Sequence, residues 1–320
     1  MVQPLEYDAA SNVTDRSSGN PQASSLLATA VGAVKAGVMS TLTIRRTEPL
    51  VEATAVLVDL RNFTPNLNAA PIQHQINGFC HFLADMYGDC VEAVLTSLPA
   101  AQRGQPPVYV NGSGDGGLFL FFGKRHFAFG FLAGVLLDAR LSQTCVEYNA
   151  RPKRRGAPDT GFGVGIESGF VNRVFAREKG SEHGLGIDAF IGHCVNIAAR
   201  VETITKTLYA ANTIVADTTV ELVAREIAGT TFEELRRRER RSRCDARRLA
   251  VHREMADLNQ KLCLSYVNRH ILKGVKEPMP LYRLARSAVK PGLPRFDELL
   301  RVLVRDDRSH LAEVRRFLTG

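Results

Sequence analysis

The spacing of apolar residues changes along this chain, and the changes mark its elements. Thr54–Asp59 (TAVLVD) is a short apolar run ending in an acid, the pattern of a buried strand. From Ile72 to Leu98, the positions Ile76, Phe79, Leu83, Tyr87, Val91, Val94 and Leu98 recur at helical spacing, which predicts an amphipathic helix. PVYV and LFLFF flank the glycine-rich NGSGDGG, which predicts two strands joined as a hairpin. His126 to Tyr148 reads as a second apolar helix. GFGVGIESGFV, from Gly161, reads as a strand whose glycines suit close backbone approach. The order β-α-β-β-α-β is the split ferredoxin-like unit, so the predicted fold class is α+β.

Further elements follow this unit. Leu185–Ile191 reads as a strand and His193 to Ile204 as a helix on which Asn196 and Arg200, four apart, share one face. Thr213–Ala216 is a brief strand with a helix after it to about Ile227. Ser265–Leu272 and Met279–Leu284 form a last hairpin, Pro291 to Pro294 a linker, and Arg295 to Leu318 one or two amphipathic helices. The first 24 or so residues, rich in Ser, Asn, Ala, Gln and Gly, read as a disordered lead.

Composition narrows the classes. With 45% hydrophobic and 23% charged residues among 320, the chain has the make-up of a globular protein. No window approaches the roughly 18 apolar residues of a membrane helix, so no membrane span is expected. Met1 to Asp15 holds no basic residue, so no signal peptide is expected either. The six cysteines form no CxxC pair, which argues against a disulfide scaffold or a zinc module and for a reducing, cytoplasmic setting. Lys and Arg number 41 against 33 acids, a net charge of +8 that raises the question of a polyanionic partner. Most of it is local: 235–253 holds nine arginines against Glu239 and Asp245, a net +7. No aromatics interleave those arginines, so a solvated helix is expected there rather than a nucleic-acid surface.

The predicted topology makes a geometric statement about chemistry. In a βαββαβ unit the first strand runs antiparallel to the third, so its C-terminal end lies at the edge that carries the hairpin. Asp59 ends the first strand and Asp115 sits in the hairpin, so two carboxylates distant in sequence converge. Such a pair suits two-metal phosphoryl transfer, with hard oxygen ligands for magnesium or manganese. Gly112, Gly114, Gly116 and Gly117 would let backbone approach a phosphate. Taken singly, Asp59 could be a strand cap and Asp115 a turn residue.

VLVDLRNFT, GSGDGGLFLFFG, GVGIESGFV, IGHCVNIAARVE and LKGVKEPMPLYRL occur in this order. As an ordered set they resemble the class III nucleotidyl cyclases, over roughly residues 50 to 285. The resemblance implies a palm-type core with added strands and helices, and conversion of a nucleoside triphosphate to a 3′,5′-cyclic monophosphate and pyrophosphate. It divides the chain into a flexible lead (1–40), a cyclase domain (41–285) with an Arg-rich helical insertion at about 233–262, and a C-terminal helical extension (286–320). Asp59, Asp115 and the Leu60 carbonyl match the family's ligands for two divalent ions, manganese favoured and magnesium the alternative. Asn196 and Arg200 match the pair that orients the ribose and stabilises charge at the α-phosphate. Lys273, or Lys276, resembles the lysine on the outer phosphates, and Phe63 matches the Phe of the first motif. The resemblance also implies an antiparallel homodimer, with metals from one protomer and Asn/Arg from the other.

The base-reading positions depart from the purine cyclases. Asn111 stands where Lys or Glu is usual, and Ala189 where Asp or Thr is usual for adenine. An Asn amide both donates and accepts, so it can pair with the edge of uracil or cytosine. This resembles the pyrimidine cyclases of bacterial Pycsar anti-phage systems, which pass a cyclic nucleotide to a separate effector. The expectation is a uridylate cyclase, with cytidylate as runner-up; a purine cyclase or an inactive nucleotide-binding module is the alternative.

Overall fold

Val56 and Val58, at alternate positions of the first predicted strand, call for cover on one face, and the structure supplies it with two long helices. A computed structural model of the chain describes residues 42–47, 50–68, 73–103, 108–151, 157–178, 186–207, 211–285 and 290–319. The lead assigned to residues 1–40, and Ile72 and Leu185, lie outside the described residues. The chain divides into two units, residues 48–173 with 189–320, and residues 1–47 with 174–188.

In chain order the elements are β1 (Leu42–Thr47), β2 (Val51–Arg61), α1 (Phe63–Asn68), α2 (Gln73–Ser97), β3 (Val108–Ser113), β4 (Gly116–Phe122), α3 (His126–Ala150), β5 (Gly161–Glu178) and β6 (Gly186–Gly192). They continue as α4 (His193–Thr205), β7 (Thr213–Ala216), α5 (Asp217–Ala228), α6 (Phe232–Arg241), α7 (Asp245–Lys261), β8 (Leu264–His270), β9 (Met279–Leu284), α8 (Pro294–Leu303) and α9 (Arg308–Thr319). The larger unit is built on a sheet of order β3-β4-β2-β5-β7-β9-β8. Its first four members, β3-β4-β2-β5, have the order and antiparallel pairing of a ferredoxin-like βαββαβ unit. The fold is α+β. In the smaller unit β1, a strand outside the predicted set, pairs antiparallel with the end of β5, Leu42 opposite Glu178 and Thr47 opposite Val174.

The two faces of the sheet differ. On one, Val56, Val58, Leu60, Phe119 and Phe121 pack with Phe79, Phe82 and Met86 of α2 and Leu132 and Leu136 of α3. The buried stripe of α2 is Phe79, Phe82, Met86, Cys90, Ala93 and Val94; Val91 and Leu95 stay exposed. The predicted stripe, which ran through Val91, is therefore rotated toward Cys90. The other face of β2 carries Ala53 and Ala55, small residues that leave room for α4.

The glycines of β5 set how closely α4 lies. A Cβ at Gly165 would stand 2.0 Å from the Ala198 carbonyl oxygen, and one at Gly163 would stand 2.4 Å from Glu202 Oε1. Cys194, Ala198 and Glu202, four residues apart, form the face of α4 turned to the sheet. Glu167, two residues past Gly165 on the same strand, is buried. Burial pushes its carboxyl up to about 8; the Thr218 hydroxyl and the Thr219 and Ser168 amides oppose this too weakly. Neither of its oxygens has a hydrogen bond of good geometry. Nearby, Thr54 bridges His126 Nδ1 (2.7 Å) and Ser168 (2.8 Å), and Ser168 reaches Thr219 (2.9 Å), a buried polar chain across the sheet.

The arginine-rich segment forms the hairpin α6–α7. A capping box starts α6, with Thr231 and Glu234 each accepting from the other's backbone N–H. Phe232 and Leu235 are buried. Arg236 turns inward to Tyr282 Oη (3.0 Å) and Glu221 (2.9 Å), while Arg237 meets Glu233 (2.8 Å) and Arg238 meets Glu254 (2.5 Å). Part of the local charge is thus neutralised within the fold. Pro294 begins α8 as its first residue instead of ending a linker, since its missing N–H costs nothing there. Among the described residues, no helix is long and apolar enough to cross a membrane.

Glu167 has a pH consequence. Its folded pKa (about 8) lies above its ordinary value of 4.5, so its contribution to stability is complete below pH 4.5 and is lost as pH rises through about 8. Glu167→Gln stays neutral throughout. Urea unfolding at pH 6 and pH 9 should show the variant gaining on the wild type by about 1 kcal/mol or more at the higher pH. Parallel pH profiles would contradict this.

Candidate active site at the β2–β4 edge

The first motif, DLRNFT, is placed residue by residue at the end of β2. Asp59 lies opposite Gly116 on β4, and the Leu60 N–H donates to the Asp115 carbonyl at 2.9 Å. The two aspartates predicted to converge therefore meet at one sheet edge. Gly114 adopts a left-handed φ of +53° that makes the tight turn, and a Cβ on Gly116 would stand 2.2 Å from the Val58 carbonyl oxygen. Two of the four glycines predicted to face a phosphate thus serve the turn and the strand contact.

Alternation along β2 sends Leu60 into the core and Asp59 to the face that carries α4. Arg61 donates to the carbonyls of Thr205 and Ala211, both at 2.9 Å, and so ties the end of β2 to the end of α4. Asn62 takes a φ of +59° and donates to the Asp159 carbonyl at 2.7 Å. Phe63 packs on Phe79, ring centroids 5.5 Å apart.

Two residues outside the predicted site join it. Tyr87, on α2, donates to the Gly114 carbonyl at 2.6 Å and lies 3.3 Å from that of Gly116, clamping the turn from below. Burial, then the charge of Asp115, raises the pKa of its phenol. Lys206, just past α4, donates to Asp59 Oδ2 at 2.7 Å and lies 3.8 Å from Glu202 Oε1. Burial pulls the Lys206 pKa down, but the bond to Asp59 and the charges of Glu202, Asp59 and Asp115 outweigh it, so the net shift is upward. Burial pushes the Glu202 carboxyl up to about 7 against the pull of Lys206, with Asp59 adding to the rise. Periodicity alone placed Tyr87 among core residues, because the hydroxyl's target is set only by the hairpin. The ETITK spacing of Glu202 and Lys206, four apart, was the available clue to the second.

The donor set fits a hard divalent ion. Two carboxylates share the edge, and a cation, the Lys206 ammonium, already stands against Asp59. Among the described residues no group of three or more His, Cys, Asp or Glu is gathered closely enough to hold a metal, so an ion held here would need further oxygens from backbone, water or a bound molecule.

Asn196 and Arg200 lie elsewhere. At 100° per residue they stand roughly opposite the Ala198 and Glu202 face that packs on β5. They are therefore not brought to Asp59 and Asp115 within one chain. Arg200 instead sits by the β8–β9 turn: a Cβ on Gly274 would be 3.5 Å from its Nη1, which is buried without a hydrogen-bond partner. Lys273 and Lys276, in that turn, are exposed. Asn111 is exposed on β3, opposite Leu118, and alternation puts it on the face shared with Tyr109. Tyr109 in turn meets Phe190, the neighbour of Ala189, at 4.7 Å between centroids.

No family model matches the chain, and no curated protein matches it. Among solved structures, it is similar to the guanylyl cyclase Cya2 (17% identity, TM-score 0.47, 75% of this chain and 94% of that one). It is also similar to a bacterial light-regulated adenylyl cyclase (15%, TM-score 0.46, 98% and 76%) and to the adenylyl cyclase CyaB from P. aeruginosa (14%, TM-score 0.45, 75% and 95%). The fold assignment stands on the strand order and pairing described above.

Tyr87→Phe removes the clamp on the turn while keeping the ring. It should cost about 0.5–1.5 kcal/mol and speed hydrogen exchange at the Leu60 amide, as read by urea unfolding and by exchange measurements. An unchanged Leu60 exchange rate would rule the clamp out.

Proposed function

We propose that this chain is a nucleotidyl cyclase of the class III type, forming a 3′,5′-cyclic monophosphate and pyrophosphate from a nucleoside triphosphate. The observation that carries this reading is the meeting of Asp59 and Asp115 at one sheet edge through the Leu60–Asp115 backbone bond. Two divalent ions, manganese favoured and magnesium the alternative, would be held by Asp59, Asp115 and the Leu60 carbonyl. When bound, such ions offset the phosphate charge and acidify the ribose 3′-hydroxyl. The reaction joins the 3′-oxygen to the α-phosphorus and breaks the bond to the β-phosphate oxygen, so pyrophosphate leaves. Arg200, with a fixed planar fork of donors, meets the charge that develops at the α-phosphate. Asn196 orients the ribose, and Lys273, or Lys276 in the same turn, holds the outer phosphates.

The placement of Asn196 and Arg200 on the far side of α4 supports a site shared between two protomers. The α4 face of the sheet carries the half-buried Leu57, Leu118, Phe122, Tyr109 and Phe190, an apolar surface for a second copy. In this reading Asn111 pairs with the edge of a pyrimidine, uracil before cytosine, and Ala189 leaves the second purine-reading position without a polar group. The product is then a pyrimidine second messenger in anti-phage defence, passed to a separate effector.

Incubation with each of the four triphosphates and manganese should give cyclic product and pyrophosphate with UTP, or with CTP. Preference for ATP or GTP would overturn the pyrimidine reading and keep the cyclase. Binding without turnover of any of them would favour the inactive module. The shared site has its own test. Asp59→Ala and Arg200→Ala should each lose nearly all turnover alone. Mixed under conditions that exchange protomers, they should recover about a quarter of wild-type activity, because half the dimers are mixed and each then has one intact site. No recovery on mixing would contradict the shared site.

A further inference from the structure

We propose that Lys206 is a built-in counter-ion of the metal site, whose ammonium must leave Asp59 before a divalent ion can bind there, with Glu202 as its second resting place. This rests on the reading of Asp59 as a metal ligand. Lys206 donates to Asp59 Oδ2 at 2.7 Å, one of the two oxygens that a metal at this carboxylate could take, and its other carboxylate neighbour is Glu202 Oε1 at 3.8 Å. That Glu202 oxygen is buried and has no hydrogen-bond partner. Its carboxylate side chain is 4% exposed, while that of Lys206 is 42% exposed, so the acceptor is fixed and the cation is free to move.

The two partners lie on different elements. Asp59 belongs to β2, and Glu202 lies in the last turn of α4, four residues before Lys206, at the spacing that favours such a pair. Arg61, bonded to the Thr205 and Ala211 carbonyls, holds the end of α4 against β2 and keeps both acceptors within reach of one ammonium. With Lys206 on Asp59, the edge holding Asp59 and Asp115 already has a positive charge in place. A divalent ion gains Asp59 only by displacing it, and the displaced ammonium then satisfies the orphan oxygen of Glu202. The pair of positions sets how much metal the site needs before it fills, and so couples activity to metal supply.

The experiment is a manganese titration of the nucleotide-free protein, followed by the electron-spin-resonance signal of free Mn²⁺. Wild type, Lys206→Met, Glu202→Gln, Asp59→Asn and the two double variants of Lys206→Met are compared, with circular dichroism checking each fold. Lys206→Met should bind Mn²⁺ roughly three- to tenfold more tightly, the range expected for removing one half-exposed ion pair in competition with the metal. Glu202→Gln should weaken binding in the wild-type background and have no effect once Lys206 is Met, because it acts through the lysine. An affinity for Lys206→Met equal to or below that of wild type overturns the proposal, as does a Glu202→Gln effect that persists without Lys206. Should Asp59→Asn leave Mn²⁺ binding unchanged, or should no variant bind Mn²⁺, the metal assignment itself fails and the counter-ion role with it.

Discussion

The bond from the Leu60 N–H to the Asp115 carbonyl holds the candidate site together. It closes the β2–β4 ladder one step past the Asp59–Gly116 pair and so fixes where the hairpin turn sits against the end of β2. A slip of one residue would send Asp59 into the core and Leu60 out of it, since side chains alternate faces along a strand. The register is protected from both sides. Val56, Val58 and Leu60 are committed to the core shared with α2 and α3, and Gly116 lets β4 approach Val58 closely enough for the ladder to form.

The second constraint is the closeness of α4 to β5. Gly163 and Gly165 remove the side chains that would lift this helix, and the same contact turns Cys194, Ala198 and Glu202 inward. Once that face is fixed, helical geometry decides the rest. Lys206 arrives at Asp59, and Asn196 and Arg200 are turned away from it. One packing decision therefore both supplies the acidic edge with its own cation and turns Asn196 and Arg200 away from the two aspartates of the same chain. Among the described residues, the buried Nη1 of Arg200, beside the β8–β9 turn, has no hydrogen-bond partner.

Much of this could be read from the sequence. The βαββαβ order followed from hydrophobic period, and the convergence of Asp59 and Asp115 followed from that order without any contact being known. The glycines of GFGVGIESG were legible as a close approach, though not as an approach to α4. Tyr87 and Lys206 were not legible as site residues. A phenol on an apolar stripe looks like core until the turn above it is placed, and a lysine four past a glutamate looks like an ordinary helix pair until a strand brings an aspartate to it. The buried stripe of α2 was misplaced by one position because Val91 and Cys90 differ little in apolar character, and only the packing on α3 chooses between them. The local charge behind the +8 was legible, and Arg237 meets Glu233 at i,i+4 spacing, but the partners of Arg236 and Arg238, Glu221 and Glu254, lie on other elements and spacing does not assign them.

The account's central claim is that the edge where Asp59 and Asp115 meet is a site for divalent ions and a triphosphate. Its most direct test is a crystal structure with Mn²⁺ and a non-cyclising triphosphate analogue, with the anomalous signal of manganese used to place the metal. The account predicts manganese peaks within coordinating reach of both carboxylates, with the Lys206 ammonium moved off Asp59 toward Glu202. Manganese bound elsewhere, or an ordered analogue with Lys206 still on Asp59 and no metal between the aspartates, would contradict it.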